Sequence, residues 1–299
     1  MLRSYAQLLR LPNLFTAWAD VFLGWLVVGG ESDLLVAVLA ASSCLYSAGM
    51  VLNDYFDAEV DARERPHRPI PSGRVPRWFA GCLGGALLLS GIAAAMFLPA
   101  HEATIGFPVG PSLAVAFALA LAIVLYDAVF KATLLGPVLM GSCRFLNIVL
   151  ALCSTGYWPA WRTVWPAFAV GLYIIGVTVF ARREAETSRL WPLALATILM
   201  ALAVALAAAA PVALQQHLGL GAILYPLGLI LWGTLIGKPI LDAIVEPDPR
   251  QVQRAVKTCI LGLIGLDALI AFALVGWAGL LIAVLLIPAM TLGRWVYST

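Results

Sequence analysis

The chain has 299 residues, 62% of them hydrophobic and only 11% charged, with a formal net charge of +2 and a mean hydropathy of +0.96. That balance excludes a water-soluble globular domain, and no basic tract or ligand spacing points to nucleic acid, haem or a structural zinc. Apolar runs of about 20 residues, the length that crosses a bilayer core, recur along its whole length.

In chain order, Arg3 and Arg10 precede the first apolar run, 12–30. It reads as a first transmembrane helix rather than a signal peptide, because the small-residue cleavage pattern is weak and many spans follow. Further spans are predicted at 34–53, 79–99, 111–130, 134–153, 164–181, 190–212, 218–240, 255–275 and 277–296. Gly276 and Gly279 mark either a tight reversal between two short spans or a break in one long segment. The predicted fold is therefore all-α, a polytopic transmembrane bundle of nine or ten helices forming one integral-membrane domain over 1–299.

Lysine and arginine placement sets the orientation. With a cytoplasmic N-terminus, Arg3, Arg10, Arg63, Arg65, Arg68, Arg74, Arg77, Lys131, Arg182, Arg183, Arg189, Lys238, Arg250, Arg254 and Lys257 all fall inside, and Arg162 falls outside. A tenth span also returns Arg294 to the inner side. The expected location is the inner cell membrane, with the chemistry facing the cytoplasm.

The end of the second span carries Asn53-Asp54-Tyr55-Phe56-Asp57-Ala58-Glu59-Val60-Asp61, a burst of carboxylates in a chain with few charges elsewhere. On a continuous helix Asp54, Asp57 and Asp61 fall within roughly 60° of one another. Three anions on one face repel each other unless a divalent cation sits among them, and Mg²⁺ is commonly held by one or two carboxylates while it binds substrate phosphates. The next segment, Arg65-Pro66-His67-Arg68-Pro69-Ile70-Pro71-Ser72-Gly73-Arg74, sets arginines among prolines that forbid regular helix. Taken alone this is a topology-setting loop. Beside a metal-binding face it becomes a guanidinium clamp for phosphate oxygens, with His67 able to reach the same group.

Ionisable groups inside membrane helices are costly and mark either function or a buried partner. Asp20 in the first span is a polar-network or a cavity residue, and Asp267 in the penultimate span reads as a structural contact. Arg144, one or two turns inside the fifth span with Asn147 on the same face, needs a partner such as a diphosphate or an acidic side chain. The five cysteines, Cys44, Cys82, Cys143, Cys153 and Cys259, show no ligand spacing and read as small packing residues.

The run Asn53-Asp54-x-x-Asp57-x-x-x-Asp61 followed by Arg65-x-x-Arg68-Pro69-Ile70-Pro71-Ser72-Gly73 resembles the first aspartate-rich signature of the UbiA superfamily of intramembrane prenyltransferases. The resemblance extends to Arg10-Leu11-Pro12-Asn13 at the start of the first span, Tyr126 and Lys131 at the end of the fourth, and Arg144 with Asn147 in the fifth. It implies a helical bundle whose cavity binds an isoprenyl diphosphate through Mg²⁺ and transfers the prenyl group to a small hydroxyl or aromatic acceptor. By position, the resemblance makes Asp54 and Asp57 the principal metal carboxylates and Asp61 a further ligand. It assigns Arg68 and Lys131 to the diphosphate charge, and Asn13, Asn53, Arg65, Arg74, Tyr126, Arg144 and Asn147 to substrate contacts.

The second aspartate-rich signature of that family, a paired Asp-x-x-x-Asp after the sixth span, is altered here to Arg182-Arg183-Glu184-Ala185-Glu186-Thr187-Ser188. Glu184 matches the first acid and is expected to be a metal ligand and catalytic group, while Ser188 replaces the second acid and is expected to touch a substrate. Glu186 points away on a regular helix. The change leaves a non-aromatic hydroxyl acceptor open, for which Asn13, Asn147 and Ser188 would supply hydrogen bonds. Two other classes fit the sequence less well. A CDP-alcohol phosphatidyltransferase lacks its Asp-Gly element here, and a transporter or lipid-binding protein leaves the aspartates and the Arg-Pro loop without a task.

Overall fold

The computed structural model describes residues 2–103, 109–182, 190–213 and 219–297, which form helices and connecting turns with no strand among them. A short α1 (Leu2–Leu8) precedes α2 (Leu11–Val27), α3 (Ser32–Phe56) and a short α4 (Ala58–Glu64). Then come α5 (Arg77–Ala95), α6 (Pro111–Leu125), α7 (Gly136–Leu152), α8 (Trp165–Ala181), α9 (Leu190–Ala213), α10 (Gly221–Val245), α11 (Pro249–Val275) and α12 (Leu286–Tyr297).

Local chemistry sets several of these boundaries. Proline occupies the first turn of α2, α6, α7, α8 and α11, where a missing N–H leaves no hydrogen bond unmade. α11 begins at Pro249 rather than 255 because the Asp248 carboxylate caps it, accepting from the Arg250 N–H at 2.9 Å. α2 stops at Val27 rather than 30, ahead of Gly29 at φ +60°.

Among the described residues seven stretches are long and apolar enough to cross a membrane, and α2 and α8 are shorter apolar helices. The last stretch, Pro249–Val296, is 48 residues long and folds back on itself. Gly276 makes the reversal at φ 77°, ψ −152°, a conformation that favours glycine. The following 3-10 segment (Gly276–Leu285) lies so close to α11 that a Cβ at Gly279 would sit 2.3 Å from the Phe272 nitrogen. α12 then runs along α2 back to α1, where the Val296 carbonyl accepts from Arg3 Nε at 3.2 Å and Gln7 Nε2 at 3.0 Å. Of the two alternatives at Gly276 and Gly279, the chain takes the tight reversal rather than a break in one long segment.

α2 is the central helix, packed on α3, α7, α11 and α12. It meets α7 at Gly24, where an added Cβ would lie 2.7 Å from the Ile148 carbonyl oxygen, the kind of close approach by which membrane helices pack. That contact brings Asp20 within reach of Arg144. The core between the helices is apolar, with Leu23, Leu45, Ile148, Tyr173 and Leu263 fully buried, while Ile198, Leu202, Ile230 and Leu231 face outward and exposed. An outer surface of that kind suits lipid.

Candidate active site

A cavity of about 1520 Å³ opens between α2, α3, α6, α7, α8 and α11. Its mouth is built by the acidic run. Asn53 and Asp54 sit on the last turn of α3, Asp57 forms the joint at φ −80°, ψ −2°, and Asp61 lies in the first turn of α4. The run is thus bent at Asp57 and is not the single continuous helix that the spacing predicts. Asn53, Asp57 and Asp61 line the cavity. Asp54 lies in its wall, 6% exposed, because two guanidinium groups converge on it.

Those two come from opposite sides. Arg68 donates through NH1 to Asp54 Oδ1 at 3.3 Å and to Asp61 Oδ2 at 2.7 Å, so one guanidinium bridges carboxylates on α3 and α4. Its loop is held by Ser72, whose Oγ donates to the Arg68 carbonyl at 2.6 Å, and by Ile70 and Val75, buried against Leu8, Val51 and Ala80. Arg10 reaches over from the α1–α2 junction, its NH2 donating to Asp54 Oδ1 at 3.2 Å and Asn53 Oδ1 at 3.4 Å. Its backbone is left-handed (φ 45°, ψ 46°), and it is the one non-glycine residue with positive φ among those described. Such a conformation costs roughly 1–2 kcal/mol and is a mark of functional positions.

The third wall is a π turn, Tyr126–Phe130, that continues α6 and closes with Lys131 N–H donating to the Tyr126 carbonyl at 2.9 Å. Turns of this type are frequent at functional sites. Here it puts Tyr126, Asp127 and Lys131 on the cavity together. Lys131 Nζ pairs with Asp57 Oδ2. Asp127 is buried and accepts at Oδ1 from Asn53 Nδ2 at 3.0 Å, which leaves the Asn53 carbonyl oxygen for Arg10.

Arg144 lines the cavity and has an acidic partner. NH1 donates to Asp20 Oδ2 at 2.9 Å and NH2 to Thr16 Oγ1 at 2.7 Å, with the Tyr46 ring 5.5 Å away. Asn147 donates to the Ala17 carbonyl at 3.0 Å and to Asp20 Oδ2 at 3.1 Å, and accepts from Ser42 at 2.7 Å. Asn147 lines the cavity as expected, while both its amide hydrogens are spent inside the protein, where they help hold Asp20. Asp20 is thereby a network residue, with Asp267 of α11 buried beside it.

Asn13 and Arg65 line the cavity as expected. Arg74 and His67 do not, contrary to expectation. The Arg74 guanidinium turns back to Ser72 at 2.9 Å, to Gln7 at 3.4 Å and to the His67 carbonyl, tying the loop to α1. Glu184, Glu186 and Ser188 lie outside the described residues. Arg10 and Asp127 are site residues that sequence reasoning did not assign. The first was visible only as part of a helix-start pattern and the second only as a polar residue next to Tyr126.

Among the described residues no three carboxylate, histidine or cysteine groups converge as a ready-made metal cage. Mg²⁺ does not require one, since it keeps waters and phosphate oxygens and takes one or two carboxylates. Asp57 and Asp61, with Asp54 behind them, form an all-oxygen donor set of that kind at the cavity mouth. They fit the ion.

In comparisons with known proteins, residues 13–238 match the model of the UbiA prenyltransferase family. Among relatives, 89 residues are 47% identical to a digeranylgeranylglyceryl phosphate synthase of Methanopyrus kandleri, covering 27% of this chain and 32% of that protein. A synthase of the same name from Methanothrix thermoacetophila is 34% identical over 130 residues, covering 37% of this chain and 49% of that one. The chain spans about a third of the length of the first relatives it matches. Its fold is similar to a solved digeranylgeranylglyceryl phosphate synthase structure, with TM-score 0.66, 21% identity, and 92% and 98% of the two chains covered. It is similar also to a UbiA homologue from Archaeoglobus fulgidus bound to DMAPP and Mg²⁺, with TM-score 0.61, 15% identity, and 89% and 99% covered. With the family model matched over most of its length and the fold shared, the chain belongs to the UbiA prenyltransferase family.

Proposed function

We propose that this protein transfers a prenyl group from an isoprenyl diphosphate to a small acceptor, releasing diphosphate, with the cavity mouth on the cytoplasmic side of the cell membrane. The observation that carries the reading is the mouth itself. Carboxylates at Asp57 and Asp61 face the cavity, Arg10, Arg68 and Lys131 sit on the motif's acids, and the space behind them is lined by Leu45, Met50, Leu119, Ile123, Ile174 and Leu263. A diphosphate head fits the charged end and an isoprenyl tail the apolar one. The name of the curated relatives and the DMAPP and Mg²⁺ of the Archaeoglobus fulgidus homologue agree with that division.

In this reading Arg10, Arg68 and Lys131 exchange their carboxylate partners for diphosphate oxygens when the substrate enters. Asp57 and Asp61 would hold a Mg²⁺ ion, which when bound would supply further positive charge for the diphosphate. The bond from the prenyl C1 to oxygen breaks with its electron pair leaving on the diphosphate. The acceptor contributes the pair for the new bond to C1 and gives its proton to a diphosphate oxygen. Preorganised cations stabilise the leaving charge, and the apolar lining keeps water from the allylic cation. Lysine and arginine placement supports the orientation.

The test uses purified full-length protein, Mg²⁺ and labelled dimethylallyl, geranyl and geranylgeranyl diphosphates with a lipid extract as acceptor source. Diphosphate release together with a product heavier by one prenyl unit is expected. Mg²⁺-independent release, or none with any donor, overturns the reading.

A further inference from the structure

Two aspartates meet inside the bundle, closed off from solvent. Asp20 on α2 and Asp267 on α11 are both 0% exposed, and their side chains lie within hydrogen-bond reach of each other. Asp20 Oδ2 accepts from Arg144 NH1 at 2.9 Å and from Asn147 Nδ2 at 3.1 Å, while Asp20 Oδ1 meets no described donor. Neither oxygen of Asp267 meets one either. The polar groups around the pair are committed elsewhere. The Tyr173 hydroxyl on α8 donates to the Cys259 carbonyl at 3.0 Å, Arg144 NH2 donates to Thr16, and the Tyr46 ring of α3 packs against the Arg144 guanidinium.

An ionised Asp267 would be a buried anion with no described N–H or cation of its own and a second carboxylate repelling it. A group in that position keeps its proton and stays neutral. The bonds already made decide which of the two aspartates holds it. Two donors on Asp20 favour its charged form, whereas none reaches Asp267, so Asp20 is the carboxylate and Asp267 the acid. A carboxylic acid also has what Asp20 Oδ1 lacks, an O–H to donate.

We infer that Asp267 is a neutral, proton-bearing carboxylic acid that donates to Asp20 Oδ1 and thereby acts as a positioning residue for Arg144 at the cavity wall. The chain of bonds crosses three helices. Asp267 on α11 fixes the Asp20 carboxylate on α2, and that carboxylate fixes the guanidinium that α7 presents to the cavity. The effect of Asp267 on turnover rests on the prenyl-transfer reading above, whereas the proton on Asp267 does not.

The experiment takes infrared spectra of the full-length protein in an ester-free detergent at neutral pH, where an ordinary aspartate is ionised. Wild type minus Asp267→Asn should show the C=O stretch of a carboxylic acid, shifted in D₂O. Absence of that band, or its survival in Asp267→Asn, overturns the inference. A missing band joined to a melting temperature that rises when sodium replaces choline would put a metal cation where the proton is assigned. Positioning is read from paired variants. Asp267→Leu, which has nothing to donate to Asp20, should lower diphosphate release from geranyl diphosphate about tenfold, the worth of one or two hydrogen bonds. Asp267→Asn, which still offers an N–H to Asp20, should stay within about threefold of wild type. Geranyl S-thiolodiphosphate, an unreactive donor analogue, should bind both variants within about threefold of wild type, a split that general misfolding does not give. Equal turnover in wild type and Asp267→Leu, equal damage in Asp267→Leu and Asp267→Asn, or loss of analogue binding and turnover together overturns the positioning role. If wild type releases no diphosphate from any donor, the prenyl-transfer reading falls, and the infrared band still decides whether Asp267 holds the proton.

Discussion

Asn53 on α3 donates from Nδ2 to Asp127 Oδ1 across 3.0 Å, joining the acidic run to the π turn that carries Lys131. The bond fixes which way the Asn53 carboxamide faces, and its carbonyl oxygen then accepts from Arg10. Asp127 is consequently a positioning residue for the cluster at the mouth. Asp127→Leu should leave the Asn53 amide unsatisfied and lower turnover about tenfold, with a raised KM for the prenyl diphosphate. Asp127→Asn, which can still present an oxygen to Asn53, should retain most activity. Steady-state kinetics of the two variants against wild type check this, and equal loss in both would point to the charge of Asp127 rather than its hydrogen bond.

How far the sequence alone reached can be seen from particular residues. The spans were legible because long apolar runs separated by charge leave few alternatives, whereas only the structure shows that the chain reverses at Gly276. The acidic run and Arg68 were legible because charged residues in so apolar a chain stand out. Arg74 looked equivalent to Arg68, since spacing does not reveal that Gly73, at φ +74°, turns the chain so that Arg74 folds back on its own loop. Asp127 was missed because a π turn has no periodic signature. Arg144 was recognised as needing a partner, yet only the close packing of α2 on α7 shows that the partner is Asp20.

Asp57→Ala and Asp61→Ala remove carboxylates that face the cavity, whereas Asp54→Ala removes the anchor of two arginines. Turnover should fall at least about a hundredfold in Asp57→Ala and Asp54→Ala. The routes differ. Asp57→Ala should raise the Mg²⁺ concentration needed for half-maximal rate, while Asp54→Ala should also lower thermal stability, because Arg10 and Arg68 lose a shared, nearly buried partner. Asp61→Ala should raise the Mg²⁺ requirement as well but cost the least rate, because Asp57 still holds the ion and Arg68 keeps its bond to Asp54. Mg²⁺ titrations and melting curves of the three proteins separate these effects, and near-normal rates in Asp57→Ala would remove the metal assignment.

The proposed orientation makes a chemical-accessibility prediction. In a background with Cys44, Cys82, Cys143, Cys153 and Cys259 replaced, a single cysteine introduced at Arg74 should resist a membrane-impermeant maleimide in intact cells and react after permeabilisation. One at Arg162, on the opposite side by the charge distribution, should react in intact cells. Labelling at position 74 from outside would reverse the bundle and place the cavity mouth on the wrong side for a cytoplasmic substrate.

Arg10 combines a strained backbone with a functional contact, and the two can be separated by substitution. Arg10→Ala and Arg10→Gly both remove the bonds to Asn53 and Asp54, but only glycine adopts φ 45° without cost. If the left-handed junction is kept in both variants, Arg10→Gly should be more stable than Arg10→Ala by about 1 kcal/mol, or roughly 2 °C in Tm for a chain of this size. Both should lose affinity for the prenyl diphosphate to the same extent, because neither side chain can meet its oxygens. Thermal melts in detergent and binding of an unreactive diphosphate analogue give the two readouts. A glycine variant no more stable than the alanine one would mean that the α1–α2 junction relaxes once the guanidinium is gone. In that case the contact with Asp54 is what holds Arg10 in its left-handed turn.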